Sequence, residues 1–398
     1  MYWTNSGDEL SEKYHRIKSF YQDKEIIIYG AGMMGGRIDD AIKALTSMNV
    51  REFWDRNPQK REYKGKQVRH LEEIAFTQYD ADHVLLVIGL PDEIGRGVRD
   101  NLVARFGIKQ CYCKLYTEFV MHDFPIIALY EYDKVFLDSI SVIITEHCTL
   151  KCEKCAIMLP FFKETSQYPK EKLMQEADAL FDKVDFIGNY TVTGGEPLLN
   201  RALPELLAYI GENYRDKIGS YKIITNGTIE PSAELIEIMQ KYHVVAEISD
   251  YTNGVPQLKE KIESVVETYR KNNIQTYFLS AARWVDFGFE DVQNNYTIEQ
   301  ARAFFDYCHT RCRGYVDGKI RYCINAFFAE RTLYGTEDIN NMLDVVNMEN
   351  TEKSRRKLVE FDLGYNEKGF LLMCQHCNGT VEINQNFVEV GKQCQNNH

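Results

Sequence analysis

No apolar run in this chain approaches the roughly 18 residues that a membrane-spanning helix requires, which argues against a membrane protein. A basic excess is also missing: Asp and Glu number 59 against 47 Lys and Arg, a net charge of -12. That balance argues against a polyanionic partner such as nucleic acid. The N-terminal MYWTNSGDELSEKYHRIKSFYQDKE holds no signal-type apolar stretch, so the expected compartment is the cytoplasm and the thiols are expected to stay reduced. Low-complexity tracts, long repeats and Pro-rich linkers are absent.

What the chain does have is cysteine, 11 in 398 residues. In a reducing compartment that number points to metal, cluster or redox chemistry rather than disulfides. The length exceeds one ordinary core, so two or three domains are expected.

The stretch from Glu25 to Gly36, EIIIYGAGMMGG, reads as a strand, a glycine turn and the start of a helix. Apolar runs ending at Asp55 and Gly89 follow, giving the alternation of a parallel α/β sheet over residues 1–135. Over residues 136–296 the pattern restarts with SVIITEHC, YTVTGGEP, YKIITNGT, VVAEISDY and IQTYFLSA, each followed by a helical stretch. That spacing predicts a partial parallel barrel with its chemistry at the C-terminal strand ends. Residues 297–398 lose the periodicity and regain cysteine, as a small metal-stapled region would. The fold class is therefore α/β in three parts.

Cys148, Cys152 and Cys155 are spaced C-x3-C-x2-C just past the first barrel run. A structural zinc site usually takes four Cys or His ligands, and His147, adjoining Cys148, is badly placed to close a tetrahedron. Three thiolates can instead hold three irons of a 4Fe-4S cubane and leave the fourth open.

With Gly194-Gly195-Glu196-Pro197 after the second run, these cysteines resemble the radical S-adenosylmethionine (radical SAM) superfamily, whose barrel would be a partial (β/α)6. The resemblance implies that S-adenosylmethionine chelates the open iron and is cleaved by one electron to methionine and a 5'-deoxyadenosyl radical. An electron donor such as flavodoxin or ferredoxin is implied with it. By the same resemblance, the Gly-Gly-Glu-Pro turn serves the methionyl ammonium, with Glu196 close by. Thr225, Asn226 and Gly227, then Ser249 and Asp250, lie at the next two strand ends, where the family contacts ribose and carboxylate. The family usually carries an aromatic residue before the third cysteine, where this chain has Lys154.

Cys308, Cys323, Cys374 and Cys377 resemble the twitch segment, a shortened relative of the SPASM domain, and would hold a second 4Fe-4S cluster. Cys312 competes with Cys308 for the fourth place, Cys394 is the last thiol of the chain, and a four-thiolate zinc suits the same set.

Gly30, Gly32 and Gly35, with Asp55 placed 20 residues beyond, meet the context of a dinucleotide fingerprint. The region also resembles the Rossmann-like N-terminal domains of bacterial sugar-modifying enzymes. A nucleotide or nucleotide-sugar, a nicotinamide cofactor, or no ligand at all remain open there.

The shortened twitch form resembles that of radical aminocyclitol dehydrogenases, so the expected activity is oxidation of a carbohydrate or nucleotide-sugar carbinol with the auxiliary cluster taking the second electron. A radical sugar epimerase is the alternative, with Cys111, Cys113, Cys394 or the unused one of Cys308 and Cys312 returning hydrogen. A peptide maturase and a non-catalytic iron-sulfur or zinc protein also stand. No catalytic base is assigned; Arg283, His309 and Arg313 qualify only by their place in the sequence.

Overall fold

The computed structural model describes residues 8–281, 283–308, 313–380 and 383–394. Two sheets carry the fold. The first uses β1 (Glu25–Tyr29), β2 (Val50–Asp55), β3 (Glu62–Tyr63), β4 (Lys66–His70), β5 (Val84–Ile88) and β6 (Cys113–Lys114) in the order β3-β4-β2-β1-β5-β6. All neighbours are parallel except β3 with β4. Alternation along β1 explains how the sheet is covered. Ile26 and Ile28 point to one face, where Phe136 and Phe186 of the following unit join them, while Ile27 and Tyr29 point to the other, with Trp54 and Leu86.

The second sheet begins with β7 (Phe136–Ile143), β8 (Phe186–Thr193), β9 (Ile218–Thr225), β10 (Val245–Asp250) and β11 (Thr276–Ser280). These five are parallel neighbours in sequence order, with helices Lys170–Lys183, Leu203–Asn213, Ala233–Tyr242 and Lys259–Lys271 joining successive pairs. After a short β12 (Trp284–Val285), the chain returns as β13 (Gly314–Val316), β14 (Lys319–Arg321) and β15 (Met342–Asp344). β13 joins the free edge of β7 in parallel, through Gly314 opposite Ser141 and Tyr315 opposite Val142. β14 and β15 then extend the sheet antiparallel.

The cysteine-rich C-terminal segment thus shares the barrel's sheet and core instead of standing apart. One apolar cluster runs from Leu137 and Ile140 through Tyr190 and Ile223 to Tyr315, Phe328 and Met373. The β13–β14 turn uses Asp317 at φ 53° and Gly318 at φ 69°, the left-handed pair of a tight hairpin. The last strand, β16 (Phe387–Val388), pairs with β12. Among the described residues, no helix is long and apolar enough to cross a membrane.

Candidate functional site

The C-terminal ends of β7 to β10 open onto a cavity of about 400 Å³. Ile143, Thr193, Thr225 and Ser249 line it from four successive strand ends, and Cys148, Cys152 and Cys155 form its wall beyond β7. Burial pushes the Cys148 thiol up to about 11 and Cys152 up to about 12, and raises Cys155 as well. Such thiols ionise readily only against a cation. Each is charge-coupled to another of the three around the shared cavity. Among the described residues, no three Cys, His, Asp or Glu side chains converge on one point as a single ion would require. Thiols spread around a cavity fit a cubane whose irons are separate ligand positions.

The glycine pair packs against this loop. A Cβ on Gly194 would stand 2.3 Å from the Thr145 carbonyl oxygen, and one on Gly195 would stand 2.2 Å from that of His147. Only glycine allows that approach, which brings the backbone after β8 beside Cys148.

Of the residues expected around S-adenosylmethionine, Gly194, Gly195, Thr225, Asn226 and Ser249 line the cavity. Glu196, Pro197 and Asp250 do not. Glu196 is wholly buried, and its carboxylate accepts from Leu198 N–H (3.1 Å), Thr225 O–H (2.8 Å) and Asn226 N–H (2.8 Å). Burial raises its pKa, opposed by those same donors. These donors tie Glu196 to the end of β9. Pro197 is buried at the start of the turn Pro197–Leu199, and Asp250 accepts from Thr252 N–H (3.1 Å) and Thr252 O–H (2.6 Å). Asn226 reaches further, its Nδ2 lying 3.5 Å from Cys148 Sγ and 3.0 Å from Thr149 Oγ1.

Lys154 lies on the wall with its ammonium held by Glu290 (2.6 Å) and Asp286 (3.3 Å). Burial lowers its pKa, but the two carboxylates outweigh that and hold it above the ordinary lysine range. The aromatic surface of the cavity comes from elsewhere: Tyr251, Trp284 and Phe287. Nothing in the cysteine motif announces them, although Trp284 and Phe287 fall in the aromatic stretch directly after the fifth strand.

Ile324 and Asn325, immediately after Cys323, also line the cavity. Cys308, Cys323, Cys374 and Cys377 lie near enough to influence one another: Cys374 is driven well up by burial and by the charges of the other three, and Cys377 by burial, Cys323 and Cys308. Cys312 and His309 lie outside the described residues. Asn341 pins Cys323, accepting from its N–H (2.8 Å) and donating to its carbonyl (3.1 Å). Arg313 is engaged by Asp362 and the Tyr322 carbonyl, and Arg283 stacks 3.7 Å from the Phe387 ring centre, so both serve packing.

In the first sheet the glycine turn forms where the sequence places it, with Gly30 at φ 102° after β1 and a helix over Met33–Leu45. Gly35 is needed for close packing, since a Cβ there would lie 1.9 Å from Gly30 O. Asp55 is half-buried, and its two oxygens accept from Ala31 N–H (2.8 Å) and Asn57 N–H (2.8 Å). Gly32 borders a separate cavity of about 400 Å³ between the glycine turn and the foot of the barrel.

The cysteine loop, the glycine pair and the strand ends around one cavity agree with the sequence comparison, in which residues 142–298 match the Radical SAM superfamily. These residues form a radical SAM domain. Its membership implies a 4Fe-4S cluster and S-adenosylmethionine, with Cys148, Cys152 and Cys155 the thiols available to the cluster. Solved structures similar to this chain include native anSMEcpe with bound AdoMet, at 18% identity over 36% of this chain and 44% of that one, TM-score 0.32. BtrN in complex with AdoMet and 2-DOIA matches at 16% identity over 64% of this chain and 100% of that one, TM-score 0.38. SuiB of Streptococcus suis bound to S-adenosylmethionine matches at 15% identity over 48% and 42%, TM-score 0.30. The chain spans less than half the length of the first of these, and superpositions this loose leave the site to be argued from its own residues. No curated protein matches the chain.

Proposed function

We propose that this radical SAM protein is an oxidoreductase that removes hydrogen from a carbinol of a carbohydrate or nucleotide-sugar and delivers the second electron to an auxiliary cluster. One observation carries the reading. A single cavity is lined both by Cys148, Cys152 and Cys155 and by Ile324 and Asn325, next to Cys323. A substrate held there would lie beside the barrel thiols and close to Cys323 of the second set.

When bound, the barrel cluster supplies the electron that cleaves S-adenosylmethionine, and the auxiliary cluster, held by Cys308, Cys323, Cys374 and Cys377, accepts one. The chain's own residues position and exclude. Thr193, Asn226, Ser249 and Asn325 offer neutral hydrogen-bonding groups suited to hydroxyls, and Ile143, Trp284 and Phe287 keep bulk water off a reactive radical. The substrate loses one hydrogen atom, one electron and the hydroxyl proton, which together make a ketone. The described wall carries no carboxylate or histidine, and Lys154 stays protonated against Glu290, so the proton leaves through water at the mouth.

Epimerisation is the less supported outcome, because it needs a thiol facing the substrate. Among the described residues, Cys111, Cys113, Cys308 and Cys394 do not line the cavity, although Cys394 lies beside the cluster loop, and Cys312 is outside the described residues. The discriminating experiment replaces Cys323, Cys374 and Cys377 together with alanine and offers polyols, aminocyclitols and nucleotide-sugars. The oxidation reading expects deoxyadenosine still to form while ketone is lost. An epimer accumulating unchanged would overturn it.

For the N-terminal cavity the supported ligand is an anion such as the diphosphate of a nucleotide-sugar. Lys60 donates to the Ala31 carbonyl and Arg215 to the carbonyls of Tyr242 and Ile218, and both bring a cation to the wall. Asp40 is matched by Lys64 at 2.7 Å. The first turn of the glycine-led helix adds N–H donors at the same rim.

A further inference from the structure

The end of the described chain lies on the cluster loop. Cys152 pairs with Gln393 as an antiparallel bridge, Glu153 N–H donates to Lys392 O (2.8 Å), and Cys394 N–H donates to Lys151 O (2.8 Å). Lys392 and Glu153 add an ion pair at 2.8 Å. About 240 residues separate the two strands of this clasp, so it is a tertiary choice, not a local turn.

Gln393 is its centre. Its Oε1 accepts from Lys151 N–H at 2.8 Å, while its Nε2 donates to Cys152 Sγ at 3.3 Å and to Gly391 O at 2.6 Å. The second acceptor fixes the amide's orientation, because a flipped side chain would set its oxygen against the Gly391 carbonyl and its NH2 against the Lys151 N–H. Gly391, at φ 67°, packs on Tyr251 of the cavity wall and on Gly254, and so anchors the strap from behind.

An N–H aimed at a cluster thiolate stabilises the more negative, reduced state and raises the potential, one of the levers by which proteins tune iron-sulfur centres. Resting on the radical SAM reading, we propose that Gln393 is a positioning residue. Its amide holds Cys152 and tunes the barrel cluster, so the C-terminal strap belongs to the initiation machinery. The resemblance to radical SAM barrels does not foresee it, and no cysteine spacing encodes it.

The test uses full-length, anaerobically reconstituted protein and three variants. Gln393→Glu keeps an acceptor for Lys151 N–H but removes the donor to sulfur. Gln393→Ala removes both, and Cys394→Ser leaves the strap backbone intact. The readouts are iron content and the midpoint potential of the barrel cluster, recognised by the change in its electron paramagnetic resonance spectrum on adding S-adenosylmethionine. Gln393→Glu is expected to retain parental iron and to show a roughly tenfold lower reduced-to-oxidised ratio at fixed poise, about 59 mV for one electron. Cys394→Ser is expected to match the parent. A parental potential in Gln393→Glu, loss of its iron, or the same shift in Cys394→Ser overturns the assignment. Failure of the parent itself to bind iron through Cys148, Cys152 and Cys155 is a separate result, which would remove the radical SAM reading beneath it.

Discussion

The Glu196 carboxylate accepts the Asn226 backbone N–H at 2.8 Å, and Asn226 in turn reaches Cys148 Sγ at 3.5 Å. The acid of the glycine turn therefore acts on the cluster loop through the end of β9. Glu196→Ala would strand buried donors on Leu198, Thr225 and Asn226 at about 1–3 kcal/mol each, partly relieved by rotation of the Thr225 hydroxyl. The expected result is a loss of roughly 3 kcal/mol in denaturant unfolding and at least tenfold weaker S-adenosylmethionine binding by calorimetry. A variant binding as tightly as the parent would show that the β9 end does not depend on Glu196.

Lys154 should matter for packing and local charge. Lys154→Met leaves Asp286 and Glu290 facing each other without their shared cation. A loss of about 1 kcal/mol is expected, recovered in part by adding Glu290→Gln, since the pair is partly exposed and its worth modest. Additive effects in the double-mutant cycle would refute the coupling.

Glu330 makes the fold pH-sensitive. It is 1% exposed, its Oε2 accepts from Asp338 N–H at 2.9 Å, and its Oε1 has no partner. Burial pushes its pKa from 4.5 up to about 7. The folded state then holds a proton that the unfolded chain releases above about 4.5, so stability falls as pH rises from about 4.5 to 7 and the penalty is full above 7. Glu330→Gln should gain up to about 3 kcal/mol at pH 8 and nothing near pH 4. Equal unfolding midpoints for parent and variant at pH 8 would contradict this.

In the N-terminal unit the residues that bind and the residues that look like binders are predicted to separate. Lys60→Ala should weaken uridine diphosphate binding about tenfold, with a salt dependence that the parent shows more steeply. Asp55→Ala should leave the residual affinity intact and lower stability, because its oxygens serve Ala31 and Asn57. The reverse pattern in calorimetry would restore Asp55 as the ligand contact.

Local pattern made much of this readable. The C-x3-C-x2-C spacing, the glycine pair and the five apolar runs are contiguous features, and the cysteines, the glycines and the ends of the first four runs meet at the cavity. The runs were legible as strands, but the first three began late: SVIITEHC begins at Ser141, whereas β7 spans Phe136–Ile143, because Asp138 and Ser139 break the apolar pattern near its start. Glu196 and Asp55 show the opposite limit. Each stands where an acid is expected beside a ligand, yet backbone N–H groups with no other acceptor claim both. Partners remote in sequence were illegible. The seat of β13 on β7, the engagement of Arg331 with buried Glu146, and the Gln393 clasp depend on how apolar faces close, and no short spacing records that.

The measurement that bears most directly on the account is 5'-deoxyadenosine formed by anaerobically reconstituted protein with S-adenosylmethionine and dithionite, beside a Cys148, Cys152 and Cys155 triple alanine variant. Deoxyadenosine from the parent, none from the variant, and about eight irons per chain are expected. A parent that forms no deoxyadenosine and binds zinc in those thiols would contradict it.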